Sequence, residues 1–234
     1  IYRRVVDELL VEMHLLSVNA DFAYDAIYAL GVVTTFDRFM EGYRPEDDKT
    51  SIFNALVKSV GAAPEQYRQD AEALKASVDG MGLDDFKALF DNLEAATGAE
   101  GLKGQLSHVA TREKFKYSRP FGIGLYTLVE SVAPDDTLKD KDTVEPLFKS
   151  FSDSLHISSD KLQKDLELYR SNLEKMAQAQ AVMQDILAAE RKKREERENP
   201  PQAPEGDEAK PADEAEPVAT PSAESPEGGT DQPQ

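Results

Sequence analysis

The sequence contains no cysteine, which excludes disulfide bonds, thiol catalysis and cysteine-ligated metal sites. Basic residues are also few, with 27 Lys and Arg against 45 Asp and Glu and a net charge of −18. Proteins that bind nucleic acid collect Lys and Arg to neutralise phosphates. The composition therefore argues against nucleic acid as a partner, and against an anionic bilayer as a purely electrostatic target.

No apolar run is long enough to cross a membrane, because a spanning helix needs about 20 apolar residues. The most apolar stretch, residues 22–43, has only 11 uncharged positions between Asp25 and Asp37. Residues 31–35 could seed a strand, but no second run of this kind exists to pair with it. From Phe22 to Met40, 13 of 19 residues are apolar or aromatic and lie on all sides of a helical wheel. This pattern predicts a core helix that is buried all round, in an all-α fold.

The remaining helices are predicted from apolar residues at three- and four-residue spacing, with Gly and Pro between them. They cover residues 2–18, 46–60, 64–78, 83–96, a segment starting near 102, 121–132, a segment starting near 142, and the last helix from 158 or 159. Asp21 is the predicted N-cap of the core helix, and Asp142 with Glu145 has capping-box spacing. Helix 121–132 is nearly as apolar as the core helix, so we expect these two helices to pack together.

The last helix carries a heptad seam of apolar residues with one polar member, Gln180. The seam consists of Leu162, Leu166, Tyr169, Leu173, Met176, Gln180, Met183 and Leu187. About 40 helical residues span about 60 Å, whereas a body of 157 residues should be only about 40 Å across. We therefore expect residues 162–176 to dock on the body and residues 179–198 to project as a coiled-coil-like arm.

The final 36 residues carry eight of the 13 prolines, nine acids, one base and no aromatic residue. Such a segment cannot bury enough apolar surface to offset its chain entropy, so it is predicted to be disordered. It holds −8 of the net charge and leaves −10 on residues 1–198. The predicted organisation is a helical bundle over residues 1–157, a long C-terminal helix over 158–198 and an acidic tail over 199–234.

Sequence signals for catalysis, metals or cofactors are absent. The three histidines lie far apart and lack partners at metal-ligand spacing. Asp136, Asp140, Asp142 and Glu145 resemble the start of a calcium loop, but the glycine and the 12-residue spacing are missing. Gly122 and Gly124 form a lone GxG, for which close helix packing is a simpler explanation than phosphate binding. We predict a protein that is not an enzyme and holds no cofactor.

Two basic clusters stand out from the acidic background. Lys114, Lys116 and Arg119 alternate with aromatic residues, an arrangement that fits either an acidic partner or ordinary side chains at a helix junction. Residues 191–194 are basic and end a helix, where cations also complement the helix dipole. The candidate partner-binding residues, from both clusters and the end of the seam, are Lys114, Lys116, Tyr117, Arg119, Gln180, Met183, Leu187, Arg191, Lys192, Lys193 and Arg194.

Four long runs resemble the thylakoid-formation family, the photosystem II biogenesis proteins of cyanobacteria and chloroplasts. They are YRRVVDELLVEMHLLSVNADF (2–22), ALGVVTTFDRFMEGYRPEDDKTSIFNAL (29–56), KFKYSRPFGIGLYTLVE (114–130) and KLQKDLELYRSNLEKMAQAQAVMQDILAAERKKREERE (161–198). The resemblance implies a largely helical, non-catalytic protein that is peripheral to the thylakoid membrane on its cytoplasmic or stromal side. It also implies a link to FtsH-type membrane proteases and photosystem II components. The Ile1 start suggests that a segment has been removed upstream.

The leading hypothesis from the sequence is an adaptor whose C-terminal helix binds protease or photosystem components. One alternative is a pigment or lipid carrier, with its ligand in a groove between the core helix and helix 121–132. Another is a scaffold that associates with itself through the coiled-coil seam.

Overall fold

The computed structural model describes residues 2–134, 137–138 and 140–198. For residues 196–198 it describes the backbone but not the side chains. The described residues form helices and no strands, which confirms the predicted all-α class. The helices are α1 (Tyr2–Ser17), α2 (Ala26–Phe39), α3 (Asp48–Ser59), α4 (Pro64–Ser77), α5 (Leu83–Ala88), a 3-10 helix (Leu93–Ala96), α6 (Gly101–Ala110), α7 (Arg119–Val132), α8 (Lys141–Ser154) and α9 (Ser159–Glu198). The described residues up to 188 form one compact unit, and residues 189–198, which are helical, belong to a second unit. The predicted tail and Asp136 lie outside the described residues.

The predicted core helix, α2, is buried on nearly every side. Ten of its 14 residues are buried, as expected for a segment that is apolar all round. Its N-cap is Asp25, whose carboxylate accepts a hydrogen bond of 2.8 Å from the Tyr28 amide. The prediction of Asp21 as N-cap was wrong, because α2 begins only after Asp25, and the rings of Phe22 and Tyr24 pack against Tyr28.

The backbones of α2 and α7 are in direct contact at two glycines, Gly31 and Gly124, and a third glycine of α7, Gly122, packs against side chains outside α2. A Cβ atom on Gly31 would overlap the Pro120 carbonyl oxygen, and one on Gly124 would overlap the Ile27 carbonyl oxygen. A Cβ atom on Gly122 would lie 2.6 Å from the Tyr117 hydroxyl oxygen. The glycine pair 122 and 124 thus serves close helix packing, and the predicted pairing of the two apolar helices is confirmed. At these glycines the two backbones touch and leave no room for a ligand between α2 and α7.

Two predicted helix boundaries were wrong. The helix expected over residues 83–96 ends at Ala88, and Asn92 has a left-handed conformation (φ 54°) before the 3-10 helix begins. Asn tolerates this conformation better than most residues, and the break lets Phe90 stack on Phe151 with ring centroids 4.1 Å apart. Helix α8 is capped by Asp140, which accepts from the Asp142 amide, rather than by Asp142 itself.

The N-cap of α2 gives the fold a pH-dependent stability. Burial raises the pKa of Asp25 to about 6, against the opposing effect of the Tyr28 amide that it accepts from. The folded state thus holds this proton more tightly than the unfolded chain. The resulting stabilisation is complete below about pH 4 and is lost as the pH rises through about 6.

Asp25→Asn should remove this pH dependence, because an amide keeps the cap without the charge. Between about pH 4 and 6 the original chain should lose about 1–3 kcal/mol of unfolding free energy relative to the variant. Urea denaturation of both proteins over this pH range measures the difference. Parallel pH profiles would show that the Asp25 carboxyl has an ordinary pKa.

Candidate functional site

The seam of α9 is buried along its first half. Leu162, Leu166, Tyr169 and Met176 are all less than a tenth exposed. Leu162 lies against α7 at Gly122, and the Tyr169 ring meets the rings of Phe39 and Tyr126 edge-on. The Arg38 guanidinium donates to the Tyr169 hydroxyl over 3.3 Å and forms a 2.6 Å ion pair with Glu130. These contacts fix the first half of α9 on the α2–α7 pair.

The contact of α9 with the bundle extends one turn beyond the expected limit at Met176. The Gln180 amide donates a 2.7 Å hydrogen bond to the Glu41 carbonyl oxygen. The Tyr2 hydroxyl donates to the same oxygen over 3.1 Å. Gln180, predicted as a partner-binding residue, therefore has its polar group engaged within the chain. The sequence did not indicate that Gln180 would hydrogen-bond to the Glu41 carbonyl, because these residues lie far apart along the chain.

Beyond Gln180 the apolar side chains of α9 are exposed. Val182, Met183, Ile186 and Leu187 are 58%, 58%, 50% and 57% exposed; we call these four residues the α9 strip. Their spacing of one, three and one residues places them side by side on one helical face. Isolated apolar residues are common on protein surfaces, whereas contiguous exposed apolar patches are less so, which makes these four residues a candidate interaction surface. Met183 and Leu187 were predicted from the seam, whereas Val182 and Ile186 were not.

The basic-aromatic cluster is divided between the surface and the interior. Lys114 and Lys116 are exposed, whereas Tyr117 and Arg119 are partly buried. The Arg119 Nε atom lies 3.5 Å from an Asp165 oxygen, and the Lys161 ammonium lies 5.1 Å from the centre of the Tyr117 ring. Burial, and then the Asp165 charge, raise the pKa of Tyr117. Tyr117 and Arg119 thus connect α7 to α9, and only the two lysines remain available to a partner.

Glu12 of α1 completes this internal group. Its carboxylate accepts a 3.3 Å hydrogen bond from the Arg119 amide. Burial raises the pKa of Glu12, while the Arg119 charge acts in the opposite direction. In the sequence, Glu12 and Asp165 look like ordinary polar-face residues of amphipathic helices. Glu12 and Asp165 approach Arg119 because of how α1, α7 and α9 pack together. The spacing of residues along one helix does not predict that packing.

An open cleft of about 440 Å³ lies beside this group, between α1 and α9. Residues of α2 and α7, including Phe39 and Ile123, line its interior, and Arg4 and Lys175 also line it. Its volume falls within the range typical of small-molecule sites. We call it the α1–α9 cleft, and nothing in the sequence pointed to it.

The four basic residues 191–194 belong to the second unit. The Arg191 Nε atom pairs with a Glu195 oxygen one turn later, at 3.0 Å, as expected for a solvated helix of mixed charge. Within the described part of the chain, no group of three or more His, Asp or Glu side chains is placed to hold a metal ion. No described helix is both long and apolar enough to cross a membrane.

Comparison with known proteins gives consistent matches over most of the chain. The family model described as thylakoid formation protein matches residues 1–198. A protein called Thf1 from Trichormus variabilis is 55% identical over 204 residues, which cover 87% of each chain. Thf1 from Nostoc punctiforme is 52% identical over 204 residues, covering 87% of this chain and 86% of the relative.

A solved structure of Psb29 matches with a TM-score of 0.70 and 38% identity, over 83% of this chain and 89% of that chain. The arrangement of helices described above is therefore shared with an experimentally determined protein. The family resemblance in the four sequence runs is confirmed by these matches. The chain belongs to the thylakoid formation protein family.

Proposed function

We propose that this chain is a non-catalytic adaptor in photosystem II repair and thylakoid membrane biogenesis. In this proposal it binds FtsH-type membrane protease complexes and supports their accumulation or activity. It acts peripherally at the thylakoid membrane, on the cytoplasmic or stromal side. The family description and the name Psb29 support a role in thylakoid formation and photosystem II biogenesis. The protease is proposed as the partner because the family resemblance implies a link to FtsH-type proteases.

The exposed α9 strip is the observation that carries the adaptor proposal. The seam is covered by the bundle as far as Gln180, and each strip residue beyond it is at least half exposed. Burial of such side chains by a partner contributes about 25 cal/mol per Å² of apolar surface. A partner that presents an apolar helix or groove can therefore bind here without any rearrangement of the bundle.

Several predicted partner-binding residues have secondary roles in this proposal. Lys114 and Lys116 are exposed cations that could steer an acidic partner during association. Residues 191–194 form a separate basic segment with the same potential use. Tyr117, Arg119 and Gln180 support the helix packing and hold the docked half of α9 in place.

Met183→Glu combined with Leu187→Glu should reduce co-purification of the FtsH-type protease from thylakoid extract by about tenfold or more. Burying two new carboxylates against an apolar partner is unfavourable, and tenfold corresponds to about 1.4 kcal/mol. The matched control is Gln178→Glu with Gln184→Glu, which adds the same charge to α9 outside the strip. Equal protease recovery from the two variants would remove the strip as the docking site.

A further inference from the structure

Much of the lining of the α1–α9 cleft is apolar. Its apolar lining includes Val5, Leu9, Phe39, Ile123, Leu168 and Met176. The Thr35 hydroxyl, which also faces the cleft, donates to the Gly31 carbonyl oxygen over 2.6 Å. The Tyr169 hydroxyl accepts from Arg38. Each of these two hydroxyls therefore makes a hydrogen bond within the protein, and the surrounding side chains favour an apolar group.

Polar contacts join the helices beside both ends of the cleft lining. At one end, Tyr2 and Gln180 donate to the same Glu41 carbonyl oxygen and so connect α1 to α9. At the other end, Glu12 accepts from the Arg119 amide, and the Arg119 side chain pairs with Asp165. A partner helix lying along the trough would have to break one of these contacts. A small molecule would not.

The dimensions of the cleft fit a short extended chain. Its lining runs from Arg4 to Glu12 on α1 and from Leu168 to Ala179 on α9. At 1.5 Å per residue, these segments are about 12 Å and about 16 Å long. An unbranched hydrocarbon chain of roughly this length can lie between the two helices.

The three cations that line the cleft, Arg4, Arg119 and Lys175, differ in their ion-pair partners. Arg4 pairs with Glu8 at 2.7 Å, and Arg119 lies beside Asp165 and Glu12. Lys175 is exposed at the rim and has no ion-pair partner among the residues that the structure describes. An anionic head group at this rim would therefore find a free positive charge.

We propose that the α1–α9 cleft binds a single-chain amphiphile with a carboxylate head group. The hydrocarbon chain lies on the apolar lining formed by α2, α7 and α9, and the carboxylate pairs with Lys175. This site is distinct from the α9 strip, so the proposal does not depend on the adaptor function. The strip variant should therefore bind the amphiphile like the original chain, whether or not it loses protease binding.

Isothermal titration calorimetry of the full chain with decanoate and with decanol tests the proposal. Both probes should bind once per chain, because both are unbranched ten-carbon molecules. Lys175→Glu should weaken decanoate binding by about five- to tenfold, since a favourable charge pair becomes repulsive. The same variant should bind decanol like the original chain. Lys164→Glu, which changes an exposed lysine of α9 outside the cleft, should affect neither probe.

Ala179→Trp should abolish binding of both probes by filling the cleft, whereas Ala177→Trp, at an exposed position outside the lining, should not. Circular dichroism and thermal unfolding check that both tryptophan variants remain folded. The proposal is overturned if neither probe saturates or if Ala179→Trp binds them normally. It is also overturned if Lys175→Glu and Lys164→Glu lower decanoate affinity equally.

Discussion

Gly31→Ala is expected to destabilise the chain by at least about 3 kcal/mol. In an exposed helix this substitution would stabilise by up to about 1 kcal/mol, because alanine favours helix more than glycine. Here the added methyl group overlaps the Pro120 carbonyl oxygen, and the Gly124 amide nitrogen lies 2.9 Å from it. Both obstacles are backbone atoms, so α2 and α7 must move apart and loosen the apolar core around them.

Gly82→Ala is the matched control, because its Cβ atom would meet only the Asp85 side chain at 3.8 Å. Its φ of −83° suits any residue, so we expect a change of no more than about 1 kcal/mol. Urea denaturation of both variants gives the comparison. A Gly31→Ala protein as stable as the Gly82→Ala protein would mean that α2 and α7 do not cross at these glycines.

Leu162→Ala is expected to cost about 2–4 kcal/mol of unfolding free energy, and Leu187→Ala less than about 0.5 kcal/mol. Both are leucines of the same seam on the same helix, but Leu162 is fully buried and Leu187 is 57% exposed. Removing a buried leucine side chain forfeits its burial energy and leaves a cavity. Removing an exposed one does neither.

Denaturant midpoints of the two alanine variants, with the slope of the transition held constant, measure these costs. Dilute protein keeps any self-association from covering Leu187. A cost at Leu187 as large as that at Leu162 would show that the bundle covers the whole seam. The α9 strip would then not be available to a partner.

Those features of the fold that depend on helical periodicity could be predicted from the sequence. The core helix, its pairing with α7 and the start of α9 all follow from where apolar residues recur. The seam also predicted that Met183 and Leu187 differ from Leu162 in burial, because a long helix exceeds the width of its bundle. Membership of the family followed from the residues themselves.

Features that depend on contacts between distant segments could not be predicted in this way. Tyr117 and Arg119 looked like a surface patch because Asp165 and Glu12, which surround them, lie on other helices. In the sequence Gln180 is only a polar interruption of the seam. In the structure its amide donates a hydrogen bond to the Glu41 carbonyl oxygen. The break after Ala88 accompanies the stacking of Phe90 on Phe151, some 60 positions away in the sequence.

The division of the α9 seam is central to the proposed adaptor function. As far as Gln180, side chains of the bundle bury the seam and hold α9 in a fixed position. From Val182 to Leu187, apolar side chains remain exposed on a helix that is already anchored. An anchored helix loses little conformational entropy on binding, so its apolar surface contributes more fully to affinity.

Site-specific photo-crosslinking in thylakoid membranes tests this account most directly. A benzophenone side chain placed at Val182 should form a product with a subunit of the FtsH-type protease, because Val182 lies within the strip. The same group at Lys164, an exposed position on the docked half of α9, should form no such product. A protease product from Lys164 alone, or a product from Val182 that contains only a second copy of this chain, would contradict the account.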